Sequence, residues 1–146
     1  FSLPFETLYI SYNLNTPLGS QLSRQLKAGS DVRLVNSPSE AQAILHVLGE
    51  RRSRNVVAYN AYGDAREYEL KLEVSFRLSA PDGAQYLPDT VIAAVREISY
   101  NEEDYLTRDA EEALVINEML SDIVVQMVRR IEKAQPPKQP EDLTTR

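Results

Sequence analysis

The chain has 146 residues, of which 42% are hydrophobic and 26% charged, with a formal net charge of −6 and a pI near 4.9. That length bounds one ordinary globular domain able to bury roughly two-thirds of its unfolded surface, and no apolar run is long enough to cross a bilayer as a helix. The acidity argues against a uniformly basic nucleic-acid binder, the absence of cysteine excludes disulfides, iron–sulfur clusters and thiolate zinc, and the single histidine, His46, excludes a multi-histidine metal centre. No cofactor is expected.

The chain opens Phe1-Ser2-Leu3-Pro4-Phe5, without an initiator Met or a basic-then-apolar leader, as a mature or trimmed form does. Phe5 to Tyr12 is aromatic and β-branched and predicts a first strand. Asn13 to Pro17 is a turn, with Thr16 as N-cap and Pro17 in the first helical turn. Leu18, Leu22 and Leu26 then recur on one helical face, and Gly29 is placed to close that helix. Val32 to Val35 predicts a second strand, and Ser37-Pro38-Ser39-Glu40 a single helical turn. Ala43 to Arg52 begins a third strand that resumes through Val56 to Tyr59. Asn60, Gly63 and Asp64 mark a hairpin after it.

Residues 67–80 carry the clearest local signal. Tyr68, Leu70, Leu72, Val74, Phe76, Leu78 and Ala80 alternate with Glu67, Glu69, Lys71, Glu73, Ser75, Arg77 and Ser79. A sustained period of two predicts a long strand with one dry and one wet face. Pro81-Asp82-Gly83 is a turn, and Ala84 to Tyr100 returns as a strand bent near Pro88, which cannot donate to a ladder. Residues 104–133 follow helical spacing from Leu106 to Ile131, with one polar interruption at Asn117. Acidic residues crowd the start (Glu102, Glu103, Asp104, Asp109, Glu111, Glu112) and Arg129, Arg130 and Lys133 the end, as the helix dipole favours. The segment after Ala134 is proline-rich and nearly devoid of apolar residues, so a disordered tail over 135–146 is expected behind a single domain over 1–134.

These elements add up to an α+β two-layer sandwich, two main helices on one face of a mixed or antiparallel sheet of four to five strands. The other sheet face, with Glu69, Lys71, Glu73 and Arg77, is then left for water or a polar partner.

Catalytic signals are weak. His46 lies mid-strand, where it faces water or packs at a sheet edge, and no GxSxG, HExxH or phosphate-cradling glycine loop is present. The carboxylate pairs Glu102/Glu103 and Glu111/Glu112 sit where a helix dipole explains them. The chain is therefore not expected to be an enzyme. Twelve of the sixteen basic residues are arginine: Arg51, Arg52 and Arg54 lie together, Arg66 follows across the hairpin, and Arg96 and Arg108 flank the turn into the last helix. The planar arginine fork matches phosphate and carboxylate oxygens, so these residues are either solvated side chains on a wet sheet face or a local site for a specific anion.

The order of pieces resembles the LptE family, lipopolysaccharide-assembly lipoproteins of Gram-negative outer membranes, over about residues 3–132. The residues that carry it are Leu3-Pro4-Phe5, Gln25-Leu26-Lys27-Ala28-Gly29, the Val32–Val35 strand, Gly63 with Glu67-Tyr68, Arg96 with Tyr100, Leu106 to Glu111, Asn117-Glu118-Met119, and Val128 to Ile131. The resemblance implies a plug within an LptD-like outer-membrane β-barrel. It also implies lipopolysaccharide binding, a periplasmic-side location, and a lipid anchor on a cysteine upstream of this chain. A barrel lumen is polar, which suits an occupant with charged faces. The family's basic position at the start of the last helix falls on Arg108, whereas its basic hairpin position falls near Ala61 or Tyr62. Arg66, or Arg52 and Arg54, can supply that charge, so Arg66, Arg108, Arg51, Arg52 and Arg54 are the expected lipopolysaccharide contacts. Two rivals remain: a periplasmic adaptor of the same fold without a glycolipid ligand, and a small enzyme built on a carboxylate pair.

Overall fold

The structure, a computed structural model, describes residues 2–100 and 105–137. In chain order it contains β1 (Thr7–Ser11), α1 (Pro17–Gly29), β2 (Arg33–Leu34), one 3-10 turn (Pro38–Glu40), β3 (Ala43–Tyr59), β4 (Ala65–Ser79), β5 (Gln85–Ser99) and α2 (Tyr105–Glu132). The five strands form one open sheet in the order β2-β1-β3-β4-β5. β1 runs parallel to both β2 and β3, and the β3–β4 and β4–β5 pairs are antiparallel hairpins. Both helices lie on one face, as the alternation of β4 requires. The expected acidic residues Glu102, Glu103 and Asp104, and the tail from 138 onward, lie outside the described residues.

α1 starts where its sequence says. Thr16 Oγ1 accepts from the Gly19 N–H at 3.0 Å, and Pro17 occupies the first helical position, where its missing N–H costs nothing. The helix closes at Gly29 without a left-handed glycine; among the described residues positive φ occurs only at Gly63 (82°) and Gly83 (93°), both in hairpin turns. Ser30 supplies the cap instead: its hydroxyl donates to the Leu26 carbonyl at 2.7 Å and accepts from the Val32 N–H at 3.3 Å. The chain can then leave extended toward β2. Gly19 is needed for close approach, because a Cβ there would stand 2.3 Å from the Asn13 carbonyl oxygen.

The core is one cluster. Leu70, Leu72, Val74, Phe76 and Leu78 of β4 are almost wholly buried, facing Leu18, Leu22 and Leu26 of α1 and Met119, Ile123, Met127 and Ile131 of α2. Each such side chain contributes about 1.5–3 kcal/mol on burial. Asn117, the polar break in the α2 pattern, has a structural reason: Gln21 of α1 donates to its Oδ1 at 3.2 Å and accepts from Ser121 Oγ at 2.9 Å. These bonds fix α1 beside α2. Ahead of that junction the helix loses cover, and Ala110, Ala113 and Leu114 are exposed although they continue the apolar pattern.

The third strand is continuous over its 17 residues rather than broken at Ser53–Asn55, because β4 offers it an unbroken partner. The bend near Pro88 is present: Phe76 pairs with Thr90 but Leu78 with Leu87, which leaves an extra residue in β5. The far sheet face carries Glu69, Lys71, Glu73 and Arg77 as expected, and no described element packs on it. It is not uniformly polar, since β5 adds exposed Val91, Ala93 and Val95 to it.

Gly19→Ala is expected to destabilise the fold by about 1–3 kcal/mol through the clash with the Asn13 carbonyl. Gly49→Ala, where the added Cβ meets nothing within 4 Å, should be near neutral. Paired thermal or urea unfolding curves check this, and equal midpoints for the two variants would contradict it.

Candidate anion-binding site

The site begins with a bulge. Val47 pairs with Phe76, but Gly49 already pairs with Ser75, so one extra residue in β3 reverses which parity faces the helices. Before the bulge, Leu45 and Val47 point into the core. After it, Glu50, Arg52 and Arg54 share the helix side with Val74, Leu72 and Leu70, while Arg51, Ser53 and Asn55 share the open face with Glu73, Lys71 and Glu69. The arginine run therefore splits: Arg52 and Arg54 lie on one side of the sheet and Arg51 on the other.

On the helix side, two arginines meet two tyrosines and a glutamate. Arg108 of α2 donates from Nη2 to the Tyr68 hydroxyl at 2.6 Å. Its guanidinium carbon stands 4.7 Å from the Tyr100 ring centre and 5.3 Å from that of Tyr68. The two rings are themselves 5.4 Å apart. Arg54 lies 4.8 Å over Tyr68 and donates to Glu112 Oε2 at 3.2 Å, and the Tyr100 hydroxyl donates to the same oxygen at 3.3 Å. Beside this cluster is an open groove of about 370 Å³, with Pro17, Ala113, Ile116 and Leu120 offering apolar surface and Arg52 and Asp109 at its rim. Both rings are buried, and an arginine over an aromatic face is worth from about 0.5 to about 2 kcal/mol as water is excluded, whereas a half-exposed ion pair such as Arg54–Glu112 is worth about 0–1 kcal/mol. These contacts orient the guanidinium groups.

The electrostatics follow from burial. Desolvation, then the charge and hydrogen bond of Glu112, push the Tyr100 hydroxyl up to about 12, against the opposing pull of Arg108 and Arg54. Tyr12 behaves alike: burial, then its hydrogen bond to Glu50 and that residue's charge, raise it to about 12. His46 is lowered from 6.5 by burial and then by Arg77. It sits on central β3 facing the open side, half-buried, with Nε2 3.2 Å from Ser79 Oγ. That contact satisfies a buried hydroxyl.

Arg66 lies two residues before Tyr68, at an irregularity of the β3–β4 ladder, and its carbonyl accepts from the Tyr100 N–H at 2.9 Å. Arg96 is drawn elsewhere, to Asp122 at 3.4 Å. Among the described residues no group of carboxylates and histidines could hold a metal ion. Tyr68, Tyr100 and Glu112 are site members that the sequence reading did not name as such. The signal for the tyrosines was available in part: Tyr68 shares the even-numbered face of β4, and Tyr100 closes the Arg96–Tyr100 spacing. Chemically the arrangement presents oriented guanidinium groups beside apolar surface, which suits an amphiphilic anion.

The fold thus defines an open-faced two-layer α+β protein. The LptE family, described as lipopolysaccharide-assembly, matches the chain over residues 5–131. Similar solved structures include an uncharacterized lipoprotein B from Nitrosomonas europaea (27% identity, TM-score 0.78, covering 90% of this chain and 84% of that one). A minor lipoprotein from Acinetobacter baumannii (23%, 0.75, 94% and 99%) and the rare lipoprotein B from Shewanella oneidensis (19%, 0.74, 84% and 91%) share the fold. No curated protein matches. The chain belongs to the LptE family, and its general role is lipopolysaccharide assembly.

The raised Tyr100 value predicts a base-limited stability. A tyrosine whose folded pKa is about 12 against 10.0 unfolded leaves stability intact below pH 10.0 and removes it as pH climbs toward about 12. Glu112→Gln should lower the Tyr100 ionisation partway, because burial persists while the carboxylate's charge is gone. Ring-carbon NMR titration reads this directly, and an unmoved Tyr100 would show that Glu112 has no part in the shift.

Proposed function

We propose that a single domain over residues 1–134 acts at the periplasmic side of the outer membrane. There it docks within an LptD-like β-barrel and binds lipopolysaccharide for delivery to the outer leaflet, held by a lipid anchor upstream of this chain. The observation that carries the ligand half of this reading is the gathering of Arg52, Arg54 and Arg108 on one side of the sheet, with Arg54 and Arg108 stacked on Tyr68 and Tyr100 beside apolar surface. Lipopolysaccharide pairs phosphates with hydrocarbon, and this patch offers oriented forks for the first and apolar surface for the second. Arg108 leads, with Arg54, Arg52 and Arg66 assisting. Arg51, on the opposite sheet face with Glu73, is assigned to the surface that meets the barrel. The open face supports the docking half, since rows of half-exposed Glu69, Lys71, Glu73 and Arg77 suit a polar lumen.

Arg66→Ala/Arg108→Ala and Arg54→Ala/Arg108→Ala double variants are expected to bind purified lipopolysaccharide at least about tenfold more weakly, since one hydrogen bond to a charged group is worth about 1.5–3 kcal/mol. Binding should weaken with added salt in the native chain and depend less on salt in the variants. Both should remain folded by thermal unfolding. Undiminished binding by both folded variants would remove the ligand site, and failure to co-purify with a co-expressed barrel partner would remove the docking half while leaving the ligand half standing.

A further inference from the structure

β5 is an edge strand, and only half of it is protected. Edge strands invite pairing with another chain, and proteins blunt them with proline, bulges or lysine. Here Pro88 and the register shifts blunt the segment before Thr90, whereas residues 91–99 pair with β4 without interruption and contain neither Pro nor Lys. The direction of their outer groups is set by one bond. The Tyr100 N–H donates to Arg66, toward β4, so alternation turns the N–H and C=O groups of Val91, Ala93, Val95, Glu97 and Ser99 outward. The Val95 carbonyl accepts from its neighbour Arg96 at 2.9 Å, which places that oxygen on the outer edge. Among the described residues no strand pairs with this edge.

Both flanks of the edge are shaped. On the helix side, an open groove of about 620 Å³ runs between β5 and α2, with Ile98, Leu114 and Val115 as apolar lining and Glu111 and Glu118 beside them. Leu114 is 70% exposed, the most exposed large apolar side chain among the described residues of α2. On the open side, Val91 and Val95 are 58% and 46% exposed, and Glu97 pairs directly with Glu69. Like charges placed opposite each other across a ladder are unfavourable, and an added cation relieves them.

We propose that residues 91–99 are a docking edge for an extended segment of a partner polypeptide in which apolar residues alternate with Lys or Arg. Main-chain bonds to the odd-numbered positions would hold it as an added strand. Its apolar side chains enter the groove against Ile98, Leu114 and Val115. Its cations lie on the open side, where their stems cover Val91 and Val95 and their heads reach Glu97 and Glu69. Charge complementarity selects this occupant over a second copy of the chain: a two-fold pairing of β5 with itself would bring Glu97, Glu111 and Glu118 of both copies to one seam. Arg96 is the present guard of the edge, held on Val95 and Asp122, and docking exchanges its bond to Val95 for one from the incoming backbone. The surface is separate from the arginine–tyrosine cluster and does not rest on the lipopolysaccharide reading.

The test uses the full chain and a synthetic peptide alternating valine with lysine and arginine. Amide hydrogen exchange at Val91, Ala93, Val95, Glu97 and Ser99 should slow by at least about tenfold on saturation, with little change at the even positions already bonded to β4. Ala93→Pro deletes an outward N–H without touching the β4 ladder and should abolish the protection. Leu114→Lys, a surface change that leaves the core intact, should weaken it. Unchanged exchange with peptide present overturns the proposal, as does equal protection by a peptide carrying Glu and Asp in place of the cations. Protection that appears without peptide and grows with protein concentration assigns the edge to a second copy and also overturns it.

Discussion

The dry face of β4 is the constraint on which the rest depends. Five of its side chains, Leu70, Leu72, Val74, Phe76 and Leu78, are almost wholly removed from water, and no neighbouring strand can cover them because strands pair through their edges. A layer must be laid on top. α2, 28 residues and so about 42 Å long, matches a 15-residue strand in reach, and α1 lies beside it near β2. The Gln21–Asn117–Ser121 bonds then lock the two helices side by side, so the roof is one unit rather than two independent pieces.

That roof is complete only over part of the sheet. Beyond the junction of α1 with α2, the β3–β4 hairpin continues with α2 alone above it, and here β3 changes parity at its bulge. The consequence is chemical. Glu50, Arg52 and Arg54 take positions on the face that would otherwise be core: Glu50 meets Tyr12, Arg54 meets Glu112 of α2, and Arg52 lines the groove with Asp109. A charged and aromatic patch is created by ending the hydrophobic layer early, with aromatic rings holding the guanidinium groups in place.

Much of the fold was readable along the chain. The β4 alternation, the α1 leucines, the Thr16 cap, the two glycine turns and the Pro88 irregularity all appear where local chemistry placed them. The arginine site was readable only as a composition. Arg51, Arg52 and Arg54 look like one cluster in sequence, yet a strand sends neighbours to opposite faces, and a bulge sets which face receives which. Arg66 and Arg108 approach the same end of the sheet from different elements. Glu112, which helix-dipole reasoning explains fully, serves Arg54 and Tyr100 together. The capping at Ser30 and the exposure of Leu114 were likewise settled by what lies opposite them.

The sequence by itself determined the element types, the wet and dry faces of β4, the two-layer class and the absence of thiol chemistry, because each follows from a residue's own period, size or functional group. Tertiary structure alone decided which arginines share a face, which rings they stack on, and where the apolar roof stops. Those outcomes depend on ladder register and on the meeting of residues far apart in the chain, such as Arg54 with Glu112 and Tyr68 with Arg108. No local pattern encodes such a meeting, since it exists only once the sheet has paired and the helices have settled on it.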